Sequence, residues 1–177
     1  MKCFWTEAEL LRPDKFGNTP LINSLNQENN TLLDVILTSS TCTAKVLLAQ
    51  NNRLENAYMM AARRGLSHQL SKLLSHRNCP DDALSPGISL LRLAIPFPSL
   101  SIGLVSMMQQ CLRLNNRPTN ALSLAVIEGR VDCIKLMVHH WTFSKIILFE
   151  KDLFGYNALE YANLYNRFAI FSILNSL

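Results

Sequence analysis

The chain has 177 residues, 49% of them apolar and only 17% charged, with a net charge of +4. That composition belongs to one folded, core-rich domain; it excludes a disordered chain and lacks the clustered positive charge of a dedicated nucleic-acid binder. Five cysteines stand at wide, uneven intervals without a Cys-x-x-Cys pair, the pattern of reduced core residues rather than a disulfide framework.

The N-terminus, MKCFWTEAELL, carries two acids and no apolar stretch of leader length, so no signal peptide is expected and the chain reads as cytoplasmic. Thr6-Glu7-Ala8-Glu9 has the form of a capping box. It predicts a short helix over Glu7–Leu11 with Phe4, Trp5 and Leu10 turned inward, so that residues 1–13 form an N-terminal cap.

At Asp14 the chain reads DKFGNTPLINSL, and 138 residues later, at Asp152, it reads DLFGYNALEYAN. Each has a small residue three positions after a leucine: Ser24 after Leu21, and Ala162 after Leu159. Three similar anchors stand between them, Ala61 after Tyr58, Ala94 after Leu91 and Ala125 after Leu122. The five anchors are spaced by 37, 33, 31 and 37 residues. Each is followed by a polar break and a second apolar stretch: Thr31–Leu37, Gln69–Leu74, SIGLVSMM after Leu100, Asp132–Val138 and Ala169–Leu174. Apolar positions at i, i+3 and i+4 mark these as amphipathic helices of two to three turns. Helices so short are marginal alone in water, so the helix–turn–helix unit must stack on its own copies. The copies run over about 14–50, 51–83, 84–114, 115–151 and 152–177. The most apolar window, Ile88–Met108, carries Arg92, Pro96 and Pro98 in its middle, which argues against a membrane span and for two buried helices around a Pro-rich turn.

A unit of about 33 residues opening with Asp-x-x-Gly-x-Thr-Pro-Leu, with an Ala three later and then a Gly and an apolar helix, resembles the ankyrin repeat. Asp14–Leu21 matches the opening, and ALSLAVIEGRVDCIKLMV matches the second half, with Gly129, like Gly65, at the helix-joining position. The resemblance covers about Asp14 to Leu174. It implies an all-α fold, an α-solenoid of stacked repeats over residues 14–177. The Thr-Pro of the family is replaced by Asn56-Ala57, Ser89-Leu90, Asn120-Ala121 and Asn157-Ala158. Asn and Ser still cap a helix N-terminus through a side-chain oxygen. The family's His after Leu is absent in every copy, so its bonds between repeats need substitutes. Pro98 takes the place of the third joining Gly. Gly17, Gly87 and Gly155 sit where a tight turn needs positive φ.

The same resemblance implies function by binding another protein through turn tips and the exposed side of the inner helices. The family's contact positions fall on Lys15, Phe16 and Asn18, on Asn116, Arg117 and Thr119, and on Leu153, Phe154 and Tyr156. The pairs beyond the anchors are Asn26 and Gln27, Arg63 and Arg64, Pro96 and Phe97, Ile127 and Glu128, and Leu164 and Tyr165. Arg63 and Arg64 are expected to meet an acidic partner segment, and Phe97, Tyr156 and Tyr165 to bury apolar anchors, Arg and aromatics being the types that dominate interfaces. The bland alternative makes the arginines solvated helix-end charges and Phe97 a core residue. Phe16 and Phe154 occupy matching positions and read as packing over their turns. Two long connections, Ser39–Arg53 and His139–Lys151, are either insertions on a binding face, with Trp141, Phe143 and Phe149 as contacts, or local packing elements. The nearly continuous apolar run RFAIFSILNSL leaves three readings: a longer array, a partner contact, or deep packing.

No phosphate-binding Gly loop, GxSxG or HExxH occurs. His76, Cys79, Cys133, His139 and His140 are scattered over two copies, without the close spacings of a structural zinc site. No cofactor, metal, catalytic group or small-molecule substrate is expected. The reading is a non-catalytic protein-binding module that blocks, recruits or mimics. In style it is similar to the effector-like ankyrin proteins with which intracellular bacteria and viruses act on host proteins. An endogenous adaptor or inhibitor, or a fragment of a larger array, is the alternative; nucleic-acid binding, suggested only by the charge, is the rival class.

Overall fold

The computed structural model describes residues 5–81, 83–84, 120–140, 143–152 and 155–177. The copy anchored at Ala94, together with Phe97, Arg117, Trp141 and Phe154, lies outside the described residues. Eleven helices and no strand occur among the described residues. They are α1 (Glu7–Leu10), α2 (Pro20–Asn26), α3 (Asn30–Thr38), α4 (Ala44–Leu48), α5 (Ala57–Arg64), α6 (Ser67–Leu74), α7 (Ala121–Ile127), α8 (Val131–Val138), α9 (Ile146–Phe149), α10 (Ala158–Leu164) and α11 (Phe168–Asn175).

Each inner helix starts at the cap residue the sequence offers. The side chains of Thr19, Asn56, Asn120 and Asn157 accept from the N–H three residues on, and Asn157 forms a full capping box with Glu160. Thr6 and Glu9 make the same box on α1, and Leu10 is fully buried.

The hairpins repeat to the residue. Four positions after each described anchor, the backbone is left-handed: Glu28 (φ 54), Gly65 (φ 75), Gly129 (φ 70) and Asn166 (φ 54). One residue further, an N–H reaches back to the anchor's own carbonyl. The bonds are Asn29 to Ser24 (2.8 Å), Leu66 to Ala61 (2.9 Å), Arg130 to Ala125 (2.8 Å) and Arg167 to Ala162 (2.7 Å). This closes the inner helix C-terminus and launches the outer helix.

Inner helices stack in the order α2, α5, α7, α10, each joined to its outer partner α3, α6, α8 or α11. The copy at Ala125 therefore packs directly on the copy at Ala61. Consistent with this, the Ala121 N–H donates to the Leu84 carbonyl (3.3 Å), so the chain at 84 and the chain at 121 meet. The anchors Ser24, Ala61, Ala125 and Ala162 are buried, as are the stack-facing Ile22, Leu25, Met59, Ala62 and Val126. A fully buried side chain of the larger of these types contributes about 1.5–3 kcal/mol. Both long connections carry an extra short helix, α4 and α9. Val46 and Leu47, and Ile147 and Leu148, are buried, and each helix packs against the next inner helix.

The opening turns also repeat. Asp14 Oδ1 accepts from the N–H groups of Phe16 (2.8 Å) and Asn18 (2.9 Å). Asp152 Oδ1 accepts from Tyr156 N–H (3.1 Å), and the Tyr161 hydroxyl donates to the same carboxylate. The second copy builds this turn from other letters: Asn51 Oδ1 accepts from Arg53 (2.9 Å) and Glu55 (3.1 Å). Leu54 then sits at the glycine position with φ 60. A left-handed L-residue costs roughly 1–2 kcal/mol. Leu54→Gly is therefore expected to stabilise the chain by about 1 kcal/mol in urea unfolding, part of the relief being offset by unfolded-state entropy.

Candidate functional site

The first two turns lie against each other like adjacent fingers. Asn52 N–H donates to the Phe16 carbonyl (3.2 Å), and Asn51 Nδ2 donates to Asn18 Oδ1 (3.0 Å). Gly17 is required here: a Cβ on it would stand 2.6 Å from the Asn52 nitrogen. Between these fingers and helices α2 and α5 lies a recess of about 280 Å³ lined by Phe16, Asn18, Asn26, Asn51, Arg53, Glu55, Met60 and Arg63. The sequence-derived contacts Asn18, Asn26 and Arg63 meet here. Lys15 stands beside them, its ammonium 5.0 Å from the Phe16 ring centre. Phe16 is 60% exposed and does not pack over its turn.

The two adjacent arginines are engaged differently. Arg63 Nε lies 2.7 Å from Glu55 Oε1, and Nη2 donates to Oε2 (3.3 Å). The Nε contact is an ion pair rather than an aligned hydrogen bond, but charge proximity is what neutralises the buried Glu55. Arg64 Nη1 donates to the Asn26 carbonyl (2.7 Å), and Nη2 pairs with Glu28 (3.0 Å). Arg53 is exposed and has no carboxylate partner among the described residues. Sequence reasoning missed it because Leu54 disguised the second turn. Aligning NNRLENA under DKFGNTP would have placed Arg53 opposite Phe16.

Arg64 belongs to a series. The carbonyl two residues after the anchor receives a guanidinium from the following copy at each described junction. Arg64 reaches Asn26, Arg130 Nε reaches Arg63 (3.2 Å), and Arg167 Nη2 reaches Ile127 (3.4 Å). Such carbonyls are helix C-terminal orphans that favour a cation. A Cβ on Gly65 or Gly129 would meet Arg130 at 2.8 Å or Arg167 at 3.0 Å, so these glycines make room for the guanidinium of the next copy. Outer helices are tied likewise. His76 Nε2 bonds the Leu37 carbonyl (2.9 Å), and His140 bonds the Leu74 carbonyl. These arginines and histidines stand where the family's missing His was expected to leave a deficit.

The remaining expected contacts lie elsewhere. Gln27 and Glu128 cap α2 and α7 and are exposed. Tyr156 and Tyr165 flank the buried Tyr161, with ring centres 5.5 and 6.2 Å from it. Exposed Leu164 and Phe168 stand at the same hairpin end. On α9, Ile146 and Phe149 are exposed, while Phe143 is half-buried. The outer helices α6 and α8 border a shallower hollow of about 620 Å³, lined by Ser67, Asp132, Lys135, Leu136, His139 and His140. Burial pushes the thiols of Cys42 and Cys133 up to about 11 and raises that of Cys79, so none supplies a thiolate near neutral pH. No helix among the described residues is long and apolar enough to cross a membrane.

Two measurements check this account of the junctions. Arg130→Ala is expected to lower stability by about 1 kcal/mol, the scale of one exposed charge-assisted bond, in urea unfolding. Burial holds His76 and His140 below their ordinary 6.5. His76 also accepts from the Asn78 N–H at Nδ1 (3.1 Å), which only a neutral ring can do. Their contribution is therefore present above about pH 6.5 and lost as pH falls through the lowered values. A melting series from pH 7.5 to 5 should show falling stability, flattened in His76→Gln/His140→Gln.

No family model and no curated protein matches the chain. Among solved structures, 19 chains match. One is the crystal structure of EF0377, an ankyrin repeat protein, at 20% identity and TM-score 0.62, covering 94% of this chain and 68% of the other. The repeated hairpins, stacked turns and this likeness agree: the chain has the ankyrin-repeat fold, an all-α solenoid.

Proposed function

We propose that the chain is a non-catalytic protein-binding module that acts by occupancy, blocking, recruiting or mimicking, through the groove between its turn tips and inner helices. The observation that carries this reading is the recess between the first two turns. There Asn18, Asn26 and Arg63 converge with exposed Phe16 and Arg53. The side chains that face it are hydrogen-bonding and apolar, suited to a protein segment. The buried thiols supply no activated nucleophile there. Tyr156 and Tyr165 extend the contact to the last copy. The drifted, Asn- and Leu-rich copies favour an effector that engages host proteins in their cytosol, and an endogenous adaptor is the alternative; the identity of the captured protein separates the two.

The test is site-specific photocrosslinking in lysates of candidate host cells and of the source cells. A photoreactive residue is placed at Gln27 or Asn52 in the groove, and at Asp34 or Lys135 on the outer helices. Crosslinked protein adducts from the groove positions alone are the expected result. Adducts from the outer positions alone, or none at any position, would sink the groove reading.

A further inference from the structure

The recess between the first two turns has a charge and shape that narrow what it accepts. Arg64 is committed to the Asn26 carbonyl and Glu28, and Arg63 to Glu55. Removing Arg63 from Glu55 would strand a buried carboxylate, and Arg64 already holds the Asn26 carbonyl and Glu28, so both arginines are engaged within the fold. The Asp14 carboxylate is turned into its own loop, accepting from Phe16, Asn18 and Asn23 Nδ2 (3.0 Å). Two cations remain at the rim: Arg53, which no carboxylate engages among the described residues, and Lys15, which rests on the Phe16 ring. Phe16 and the Met60 side chain supply the apolar lining. At about 280 Å³ the recess lies at the lower edge of the roughly 300–1,000 Å³ of small-molecule sites, and it has room for one or two side chains.

Resting on the groove reading above, we infer that this recess recognises an extended protein segment by an acidic side chain set next to an apolar one. Arg53 is the specificity-determining cation, and the exposed Phe16 ring receives the apolar neighbour. The Arg53 guanidinium presents a planar fork that matches a carboxylate in two-point geometry. The net positive rim repels basic segments, so discrimination comes from repulsion as well as attraction. The arginine that determines specificity is thus not one of the adjacent pair at the end of α5. It is a turn residue one finger away.

A random dodecapeptide library displayed on phage tests this, panned against the full chain, Arg53→Glu, Phe16→Ala and the control Arg12→Glu. Arg12 is exposed and lies outside the recess. Circular dichroism checks that each variant is folded. Wild type and Arg12→Glu should enrich peptides with Asp or Glu beside an apolar residue. In Arg53→Glu that enrichment should fall at least tenfold. An acidic preference that persists in Arg53→Glu, or no acidic preference, overturns the inference. Peptides without acidic bias that are lost in Phe16→Ala would overturn the acidic chemistry alone and leave the groove reading standing. Peptides indifferent to both Arg53→Glu and Phe16→Ala would overturn both. Displacement of the selected peptides by a single-stranded 20-mer oligonucleotide, dependent on Arg53, would overturn it in favour of nucleic acid.

Discussion

One backbone hydrogen bond, made four times, carries the architecture. The N–H five residues past each described anchor returns to the anchor's carbonyl, and the residue before it is held left-handed. That bond fixes where the inner helix stops and which way the outer helix leaves. The helices it joins have only seven to nine residues, too short to persist alone in water. With the hairpin angle fixed, every described copy presents the same face to the next. The buried row Ile22, Leu25, Met59, Ala62 and Val126 follows from that repetition. Two copies close the hairpin with Gly, while Glu28 and Asn166 accept the left-handed conformation instead. Geometry is the invariant here, and residue type is adjusted around it.

The closure also explains which charged groups belong to the fold. Ending a helix leaves carbonyls without partners. In this chain the next copy supplies an arginine to each described junction, and at two of them Gly65 or Gly129 leaves room for that arginine side chain. Arg64, read from sequence as a contact for a partner, is part of that series. Sequence position alone could not tell it from Arg63, its neighbour, which answers a buried glutamate instead. A list of surface arginines therefore overstates the cations a groove has to offer.

Much of the fold was legible because its signals are local. The Thr and Asn caps, the anchor alanines and the glycines at 17, 65, 129 and 155 all stand where the periodicity placed them. The second turn was not legible. Its signature glycine is Leu54 and its aspartate is Asn51, so two substitutions that each keep the backbone path erased the letters by which it is recognised. The order of stacking was hidden too. The spacing of the anchors does not state that the copy at Ala125 packs on the copy at Ala61. Contact of α5 with α7 is a long-range fact that no local pattern encodes. Within the site, the convergence of Asn18, Asn26 and Arg63 followed from family positions. Arg53 did not, because its place depends on the turn that Leu54 concealed.

The last described copy shows how the same frame can be turned outward. At positions where earlier copies bury Ile22, Met59 and Ser123 it has Glu160, and where they bury Leu25, Ala62 and Val126 it has Asn163. Glu160 is used locally, in the capping box with Asn157 and an ion pair with Lys151. Apolar residues reappear at the hairpin end, where Leu164 and Phe168 are exposed beside Tyr165. The apolar run that ends the sequence thus divides by face: Ile170 and Leu174 pack inward, and Phe168 does not. Hydropathy along a helix cannot make that division, since it averages over faces that the hairpin angle separates. What a copy exposes is decided by which side chains the repeated backbone turns away from the next copy. Among the described residues these include Phe16 and Arg53 at the first two turns, and Tyr156, Leu164, Tyr165 and Phe168 at the other end.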